Sequence, residues 1–291
     1  MKIKISSVLD IGKRENNEDD MAFCPDLSNP EWRKDKMDAY ISLGKSGSLA
    51  VIADGMGGAN AGEVASSIAI KTVKEMFSTE RTAAAVSGGD DTIKSLLEET
   101  VKKADSDILA RIAVDDDTRG MGTTIVICWL LDNKAYIAWC GDSRCYVFHP
   151  VAGLKALSHD HSVVQELVDK GEITPEEAFY HPDGNIITRG LGDIGDDGQP
   201  DVMVYPVKLG DTLILCSDGL CGYCEDKDIQ EIMDESYLDV TECSDRLLKL
   251  TLDAGGHDNI AIIVQSVIGD DQDKPAPLTF FQRIKRRFRR V

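Results

Sequence analysis

The stretch Leu-Ala-Val-Ile-Ala-Asp-Gly-Met-Gly-Gly at residues 49 to 58 runs five apolar residues directly into a carboxylate. An apolar run of this length bounded by glycines is typical of a buried strand, which here ends at Asp54. A carboxylate in that position needs a partner, yet the following dozen residues contain no Lys or Arg. A metal ion is one candidate, because glycines let backbone carbonyls approach an oxygen-preferring cation. A plain Gly-rich turn with a solvated Asp is the alternative.

Length and composition predict a folded protein with a sizeable core. The chain has 291 residues, of which 42% are hydrophobic and 29% charged, and this suits one large domain or two small ones. No apolar run approaches the roughly 20 residues that span a bilayer, and the N-terminal residues lack the apolar segment of a signal peptide. We therefore expect a cytoplasmic protein. The net charge of −19 argues against nucleic acid as a partner.

The cysteines predict reduced core thiols. There are eight in the chain, several of them inside apolar runs, which does not resemble a disulfide framework. Cys221 and Cys224 form a Cys-x-x-Cys pair, a spacing that can be redox-active or bind Zn²⁺. With no second pair nearby, packing is the favoured interpretation. A redox pair whose oxidation lowers activity is the alternative.

Hydrophobic patterning predicts an α+β protein. Apolar residues at helical spacing indicate helices at 64–77, 93–112, 162–170, 226–234 and 242–253, and apolar runs indicate strands at 3–9, 21–24, 49–54, 121–131, 134–140, 143–148, 201–207, 212–217 and 260–267. The two-residue links at 132–133 and 141–142 predict antiparallel hairpins. Runs of strands interrupted by helix pairs favour antiparallel sheets over a parallel sheet with alternating helices.

Acidic residues recur where a polar turn meets an apolar strand. Four sites share this placement, namely Glu18 with Asp19, Asp54, Asp218 and Asp258. Carboxylates at strand ends can converge on one edge of a sheet, and an all-oxygen ligand set selects Mg²⁺ or Mn²⁺ over Zn²⁺. Two such ions together suit the hydrolysis of phosphate esters. Arg14, four residues before Glu18, has the forked geometry that binds phosphate.

Six motifs in order resemble one known family. They are Arg14-x-x-x-Glu18-Asp19, Asp54-Gly55-Met56-Gly57-Gly58, Gly120-Met121-Gly122-Thr123-Thr124, Gly141-Asp142-Ser143-Arg144, Ser217-Asp218-Gly219 and Asp258-Asn259. In this order they resemble the metal-dependent type-2C Ser/Thr protein phosphatases, especially the bacterial branch, over about residues 3 to 267. The resemblance implies an αββα sandwich of two antiparallel sheets flanked by helix pairs, with the metal site at one end of the sheets.

The resemblance also implies roles for individual residues. Glu18, Asp54, the Gly55 carbonyl, Asp218 and Asp258 would hold two core Mg²⁺ or Mn²⁺ ions, with Asp19 reaching them through water. Asp142 would join Asp218 in binding a third, weaker ion, although a turn Asp often only caps hydrogen bonds. Arg14 would hold the substrate phosphate as the catalytic residue.

Two further features follow from comparison with the same family. Residues 158–200 match its flap beside the active site. Met56 stands where some relatives carry a His regarded as the general acid. Protonation of the leaving group would then come from water on a metal or from another residue, for which His161 and His257 are candidates.

The C-terminal residues differ from the rest in charge. Residues 274–291 hold seven of the 32 Lys and Arg and no acid, so the first 273 residues, with 25 basic and 51 acidic side chains, carry −26. Phe281, Ile284 and Phe288 fall on one helical face. We expect a catalytic domain at 1–270 and a basic amphipathic tail at 271–291. The tail would contact a membrane surface, an acidic partner or the acidic body, or remain a solvated segment.

The expected function is therefore hydrolysis of phosphoserine and phosphothreonine on proteins, by attack of a hydroxide that bridges two divalent ions. Substrates would include a Ser/Thr kinase. The alternative is a catalytically silent relative that acts as a partner-binding regulatory module. Retention of the whole ligand set argues against that alternative.

Overall fold

The computed structural model describes residues 1–37, 39–57, 61–194 and 198–269. Gly58 and the tail at 271–291 lie outside the described residues. Within them, two sheets stack face to face, each covered by helices on its outer side. The predicted αββα sandwich is confirmed, and every described strand pairing is antiparallel.

Elements are numbered in chain order. Among the described residues, one sheet has six strands in the order β3 (Ile41–Ser42), β1 (Lys2–Asp10), β13 (Ile260–Ile268), β12 (Thr212–Cys216), β8 (Arg144–His149) and β9 (Gly153–Ala156). The other described sheet has seven, in the order β10 (Leu191–Gly192), β5 (Gly122–Thr123), β4 (Ser48–Met56), β6 (Ile125–Leu131), β7 (Lys134–Cys140) and β11 (Asp201–Pro206), with β2 (Asp19–Cys24) beside β4.

The helices fall into three groups. Those against the seven-stranded sheet are α1 (Ala61–Met76), α2 (Thr79–Gly88) and α3 (Asp90–Ile112), followed by a 3-10 turn at Asp116–Thr118. Those against the six-stranded sheet are α6 (Asp218–Cys221), α7 (Asp226–Ser236) and α8 (Val240–Asp253). Between them in sequence lie α4 (Val163–Asp169) and α5 (Pro175–Phe179), in the segment predicted as the flap. Among the described residues, no helix combines the length and the apolar character that a bilayer crossing requires.

The run at 49–53 is apolar on both faces of β4 because both faces of this strand are covered. Leu49, Val51 and Ala53 pack towards the helices on the outer side. Ala50 and Ile52 pack towards the six-stranded sheet. A strand that is buried on both sides loses the alternation of apolar and polar residues. The continuous run therefore indicated the centre of a sandwich.

One predicted connection is wrong. Strands β7 and β8 do not form a hairpin across Gly141 and Asp142, because β7 belongs to the seven-stranded sheet and β8 to the six-stranded one. The chain crosses between the sheets at Gly141, whose φ of +111° is open to glycine but strained for other residues. The crossing places Asp142 at the junction of the two sheets.

Other differences are additions. The segment predicted as one strand at 121–131 is divided into β5 and β6, and α2, α6, β3, β9 and β10 were not predicted. The hairpin at Asp132 and Asn133 is confirmed by the β6–β7 pairing. In α5, Thr174 caps the helix with its hydroxyl while Pro175 occupies the first turn.

Candidate active site

The seven-stranded sheet contributes two carboxylates side by side. Asp19, the first residue of β2, lies directly opposite Asp54 of β4 in the antiparallel register, and the two side chains are within hydrogen-bond range. The backbone of Asp54 is fixed by two threonines of the Gly120–Thr124 motif. Its carbonyl accepts from the Thr123 hydroxyl at 2.8 Å, and its N–H donates to Thr124 Oγ1 at 3.2 Å. That motif therefore holds the acidic strand end in place.

The six-stranded sheet contributes Asp218 and Asp258 from adjacent strand ends. Asp218 follows β12 and Asp258 precedes β13, and β12 pairs with β13. The carboxyl groups of Asp218 and Asp54 lie within hydrogen-bond range of each other, so the two sheets meet at this point. Gly219 passes so close to the backbone of Asn259 that a Cβ would overlap the Asn259 carbonyl oxygen. Only glycine fits at this crossing of the two strand ends.

Ser217 links the two sheets. Its hydroxyl donates to Asp19 Oδ2 at 2.6 Å and accepts the Ala261 N–H at 3.0 Å. The sequence placed Ser217 in a motif but gave it no role. In the structure, Ser217 orients the Asp19 carboxylate. Its small hydroxyl can do so because it immediately precedes Asp218 and can donate one hydrogen bond while accepting another.

Asn259 holds the N-terminal loop against β13. Its Nδ2 donates to the carbonyls of Ile11 and Asn16 at 3.0 and 2.9 Å, and its Oδ1 accepts the Glu18 N–H at 2.8 Å. These bonds tie down the loop that carries Arg14 and ends at Glu18. The sequence placed Asn259 in a motif but gave it no role. Nothing in the residues around Asn259 indicates that its side chain contacts the N-terminal loop.

Arg14 lies at the rim of the cluster with about half of its side chain exposed. Its Nη2 donates to Asp258 Oδ2 at 2.8 Å and its Nε to the His257 carbonyl at 3.2 Å. The hydrogen bond with Asp258 raises the pKa of Arg14. The guanidinium therefore stays charged at the mouth of the site, where a phosphate would meet it.

Glu18 points to the first turn of α1. Its carboxylate accepts a hydrogen bond from the Gly62 N–H, and its backbone carbonyl accepts from Gly55 N–H at 3.2 Å. Loss of hydration raises the pKa of Glu18 despite this bond and the nearby Arg14. Gly55 is itself enclosed by the backbones of Glu18 and Gly62. The two residues thus lie where the loop, β4 and α1 meet.

Asp142 is buried at the junction between the sheets. Loss of hydration is the main cause that raises its pKa well above the ordinary value, and Asp218 and Asp160 add repulsion. The turn before it is braced by His161, whose Nδ1 accepts the Gly141 N–H at 3.1 Å and whose Nε2 faces Asp201 at 3.1 Å. Because both ring nitrogens have protein partners and burial lowers its pKa, His161 supports this turn and is poorly placed for proton transfer.

The second candidate acid, His257, lies beside Asp258. Its ring packs against that of Tyr223, with the centroids 5.9 Å apart. The backbone carbonyl of His257 accepts from Arg14 Nε, so the residue lies next to Arg14.

The cluster is strongly acidic in a region with little water. Loss of hydration, reinforced by the neighbouring carboxylates, raises the pKa of Asp218 to about 6 and that of Asp19 to about 8. The same causes raise the pKa of Asp54 well above its ordinary value. Like charges gathered in this way are unfavourable unless protons or cations neutralise them. Hard oxygen donors with no soft ligand among them fit Mg²⁺ or Mn²⁺.

The carboxylates do not form a closed metal cage. Among the described residues, no three His, Cys, Asp or Glu side chains have the arrangement of a metal-binding group. Several of the oxygens instead face protein partners: Asp258 faces Arg14, Asp19 faces Ser217, and Glu18 faces the Gly62 N–H. The structure brings the predicted residues to one place, while their role as ligands stays a prediction.

The cysteines near the site are packed rather than poised for reaction. Cys221 Sγ contacts the Ser217 carbonyl and lies near Cys216, whereas Cys224 contacts Thr251 Oγ1. Hydrogen bonding with Cys216 and burial raise the pKa of Cys221, and burial raises that of Cys224 to about 11. Thiols in such surroundings react slowly. The contacts favour the packing interpretation of this pair.

Comparison with known proteins identifies the family. A family model described as protein phosphatase 2C matches residues 27–252. The chain belongs to the protein phosphatase 2C family. It is 31% identical to the protein phosphatase PhpP of Streptococcus pneumoniae over 274 residues, which cover 93% of this chain and 100% of PhpP. It is also 36% identical to the serine/threonine protein phosphatase PstP of Mycobacterium tuberculosis over 230 residues, or 79% of this chain.

The chain spans 42% of the length of full-length PstP. Solved structures of serine/threonine phosphatases, including that of the PstP catalytic domain, share the fold of this chain. A crystal structure of the PstP catalytic domain in complex with two manganese ions superposes with a TM-score of 0.73 at 31% identity, covering 92% of this chain and 99% of that domain. The serine/threonine phosphatase Stp1 of Staphylococcus aureus superposes with a TM-score of 0.75 at 29% identity, covering 92% of this chain and 96% of Stp1.

Proposed function

We propose that this phosphatase 2C family member is a metal-dependent enzyme that removes phosphate from phosphoserine and phosphothreonine on proteins. One observation carries the proposal: Asp19, Asp54, Asp142 and Asp218 converge between the two sheets, with Arg14 at the mouth. The name of the serine/threonine protein phosphatase PstP supports the same activity, and the name of the protein phosphatase PhpP supports action on proteins. We take residues 1–270 as the catalytic domain.

The proposed ligands of two core ions are Glu18, Asp54, the Gly55 carbonyl, Asp218 and Asp258, with Asp19 acting through water and Asp142 helping Asp218 with a third ion. The manganese complex of the PstP catalytic domain supports Mg²⁺ or Mn²⁺ as the cofactor. When bound, two such ions would supply Lewis acidity and a bridging hydroxide near neutral pH. The chain itself supplies buried carboxylates, Asp54 and Asp142 among them, whose pKa values are raised first by loss of hydration and then by the neighbouring negative charges.

The role of Arg14 is to orient the phosphate. Its guanidinium is half exposed and bound to Asp258, so it can offer its remaining N–H donors to a phosphate at the mouth of the site. Met56, in β4 two residues after Asp54, has no proton to give. Protonation of the leaving group would therefore come from water or from another residue, and the contacts of His161 argue against that residue.

The test is hydrolysis of p-nitrophenyl phosphate with and without Mn²⁺. We expect activity with Mn²⁺, loss in EDTA, and a fall of at least about 100-fold in Asp218→Asn, because that change removes a charged ligand. Asp245→Asn, which alters an exposed carboxylate on α8, is the matched control and should retain activity. A folded parent protein that is silent with Mn²⁺ would contradict the proposal and favour a partner-binding regulatory module.

The proposed substrates are phosphorylated Ser/Thr proteins, a Ser/Thr kinase among them, in the cytoplasm. The seven basic residues of 274–291 suggest a second contact, with a membrane surface or an acidic partner. Phosphoproteomics of a deletion strain would identify the substrates. Unchanged phosphoserine and phosphothreonine levels in that strain would contradict the assignment.

A further inference from the structure

A cleft of about 710 Å³ opens beside the acidic cluster. Its lining includes Asp142 and Asp218, so it begins at the candidate active site. One wall comes from residues 158–185 of the flap and the other from residues 218–227. Tyr180 of the flap donates to Glu225 Oε1 of the opposite wall at 2.9 Å, which joins the two walls. A phosphate group alone is far smaller than this space.

The flap wall is partly apolar. Val164 and Val168, four residues apart on α4, share a helix face, and Ala178 and Phe179 come from α5. An apolar wall beside a polar reaction centre is the usual composition of a ligand cleft. These side chains can pack against the residues on either side of a phosphorylated Ser or Thr.

The charged lining is acidic even without the candidate metal ligands. Its remaining carboxylates are Asp160, Glu176, Glu225 and Asp226, against the cations Arg144 and Lys227. The two cations are engaged, because Arg144 binds Asp160 at 2.6 Å and Lys227 binds Glu225 at 2.9 Å. Glu176 is exposed and forms no ion pair with any residue that the structure describes. The cleft therefore presents negative charge that a ligand can neutralise.

We infer that this cleft binds the residues flanking the phosphorylated side chain, an inference that rests on the phosphatase function proposed above. The cleft favours substrates whose flanking residues are basic or apolar over substrates whose flanking residues are acidic. The surplus carboxylates attract Arg or Lys and repel Asp or Glu. The apolar wall accepts the aliphatic stems of the same cations, which adds contact area to the charge effect. Glu176 of the flap is exposed, whereas Asp226, the other exposed carboxylate of this lining, already contacts Arg144 and the Tyr146 hydroxyl, so Glu176 is the one chosen for the test.

The experiment compares two phosphothreonine heptapeptides, one with Arg and one with Glu at the positions immediately before and after the phosphothreonine. Phosphate release with Mn²⁺ gives kcat and KM for each peptide. We expect kcat/KM to be about three- to tenfold higher for the Arg peptide in 50 mM salt, through a lower KM, and the preference to shrink in 500 mM salt. Hydrolysis of p-nitrophenyl phosphate, which has no flanking residues, measures the reaction centre alone.

Glu176→Lys should abolish the preference by raising KM for the Arg peptide, with p-nitrophenyl phosphate hydrolysis unchanged. Glu98→Lys, an equal change of charge at an exposed position on α3, is the matched control and should keep the preference. Equal kcat/KM for both peptides in an enzyme active on p-nitrophenyl phosphate would overturn the inference while leaving the phosphatase function standing. An equal loss in both variants would also overturn it, since surface charge in general would then be the cause. Silence towards p-nitrophenyl phosphate would instead overturn the proposed function, and this inference with it.

Discussion

Replacing Asn259 with Ala tests whether the site depends on the clamp between the N-terminal loop and β13. Asn259 is 5% exposed and its side chain makes three hydrogen bonds to backbone groups of the loop. Each bond contributes about 1 kcal/mol net, and the backbone partners left behind are only partly open to water. We therefore expect Asn259→Ala to lower the free energy of unfolding by about 2–4 kcal/mol.

The assay is urea unfolding in EDTA, which removes any contribution of bound metal. Asn29→Ala, at an exposed loop position, is the control and should change the free energy of unfolding by less than about 0.5 kcal/mol. A second measurement is the Mn²⁺ concentration that gives half-maximal hydrolysis of p-nitrophenyl phosphate. Because Asn259 fixes the backbone of Glu18, we expect that concentration to rise by at least about tenfold.

Two results would refute this reasoning. If Asn259→Ala unfolds at the same urea concentration as Asn29→Ala, the three bonds do not hold the loop. If stability falls but the Mn²⁺ requirement is unchanged, the loop does not position Glu18 as a ligand. The second result would leave the fold intact and remove Glu18 from the candidate site.

Four further predictions concern the candidate site, the cysteines and the C-terminal tail. Gly219→Ala should lower the free energy of unfolding by about 1–3 kcal/mol in a urea titration, because the new methyl group overlaps the Asn259 carbonyl; an unchanged midpoint would contradict this. In EDTA, thermal stability should fall between pH 5 and pH 8. Asp218 and Asp19 hold protons in the folded state up to pKa values of about 6 and about 8 but release them near pH 4 when unfolded, so their contribution is lost as the pH rises through that window. Added Mn²⁺ should accordingly raise the melting temperature more at pH 8 than at pH 6, and an equal shift at both would argue against metal binding by these groups. Ellman's reagent should modify almost no thiols in the native protein and all eight in urea, because all eight cysteines are buried; rapid native modification would restore a redox role for the Cys221 pair. Truncation after residue 273 should abolish co-sedimentation with anionic liposomes, and no binding by the full chain would exclude the membrane contact.

The sequence predicted the layers of the fold because the chemistry of burial is local. The apolar run at 49–53 and the helical spacing of 64–77 each show in a short window where core residues fall. The crossing at Gly141 could not be predicted in this way. Two strands with a two-residue link look alike whether they pair or separate, and only the positive φ of Gly141 and the partners of β7 and β8 decide the outcome.

The site was predictable as a set of acids but not as an arrangement. Each of Asp54, Asp218 and Asp258 stands at a strand end, which is visible in the sequence. The acids are supported by contacts between residues far apart in the chain, such as Ser217 to Asp19 and Asn259 to Asn16, separated by 198 and 243 positions. No local pattern encodes such contacts, because they arise only when the two sheets pack.

That packing explains why the acidic cluster can exist. Asp19 and Asp54 belong to one sheet, Asp218 and Asp258 to the strand ends of the other, and Asp142 to the link between them. Each pair alone would stay hydrated with an ordinary pKa, and stacking the sheets removes water from both pairs and brings like charges together. The resulting repulsion opposes folding, while the apolar side chains between the sheets favour it. Divalent cations would relieve that repulsion, so metal binding and the final packing of the two sheets should stabilise each other.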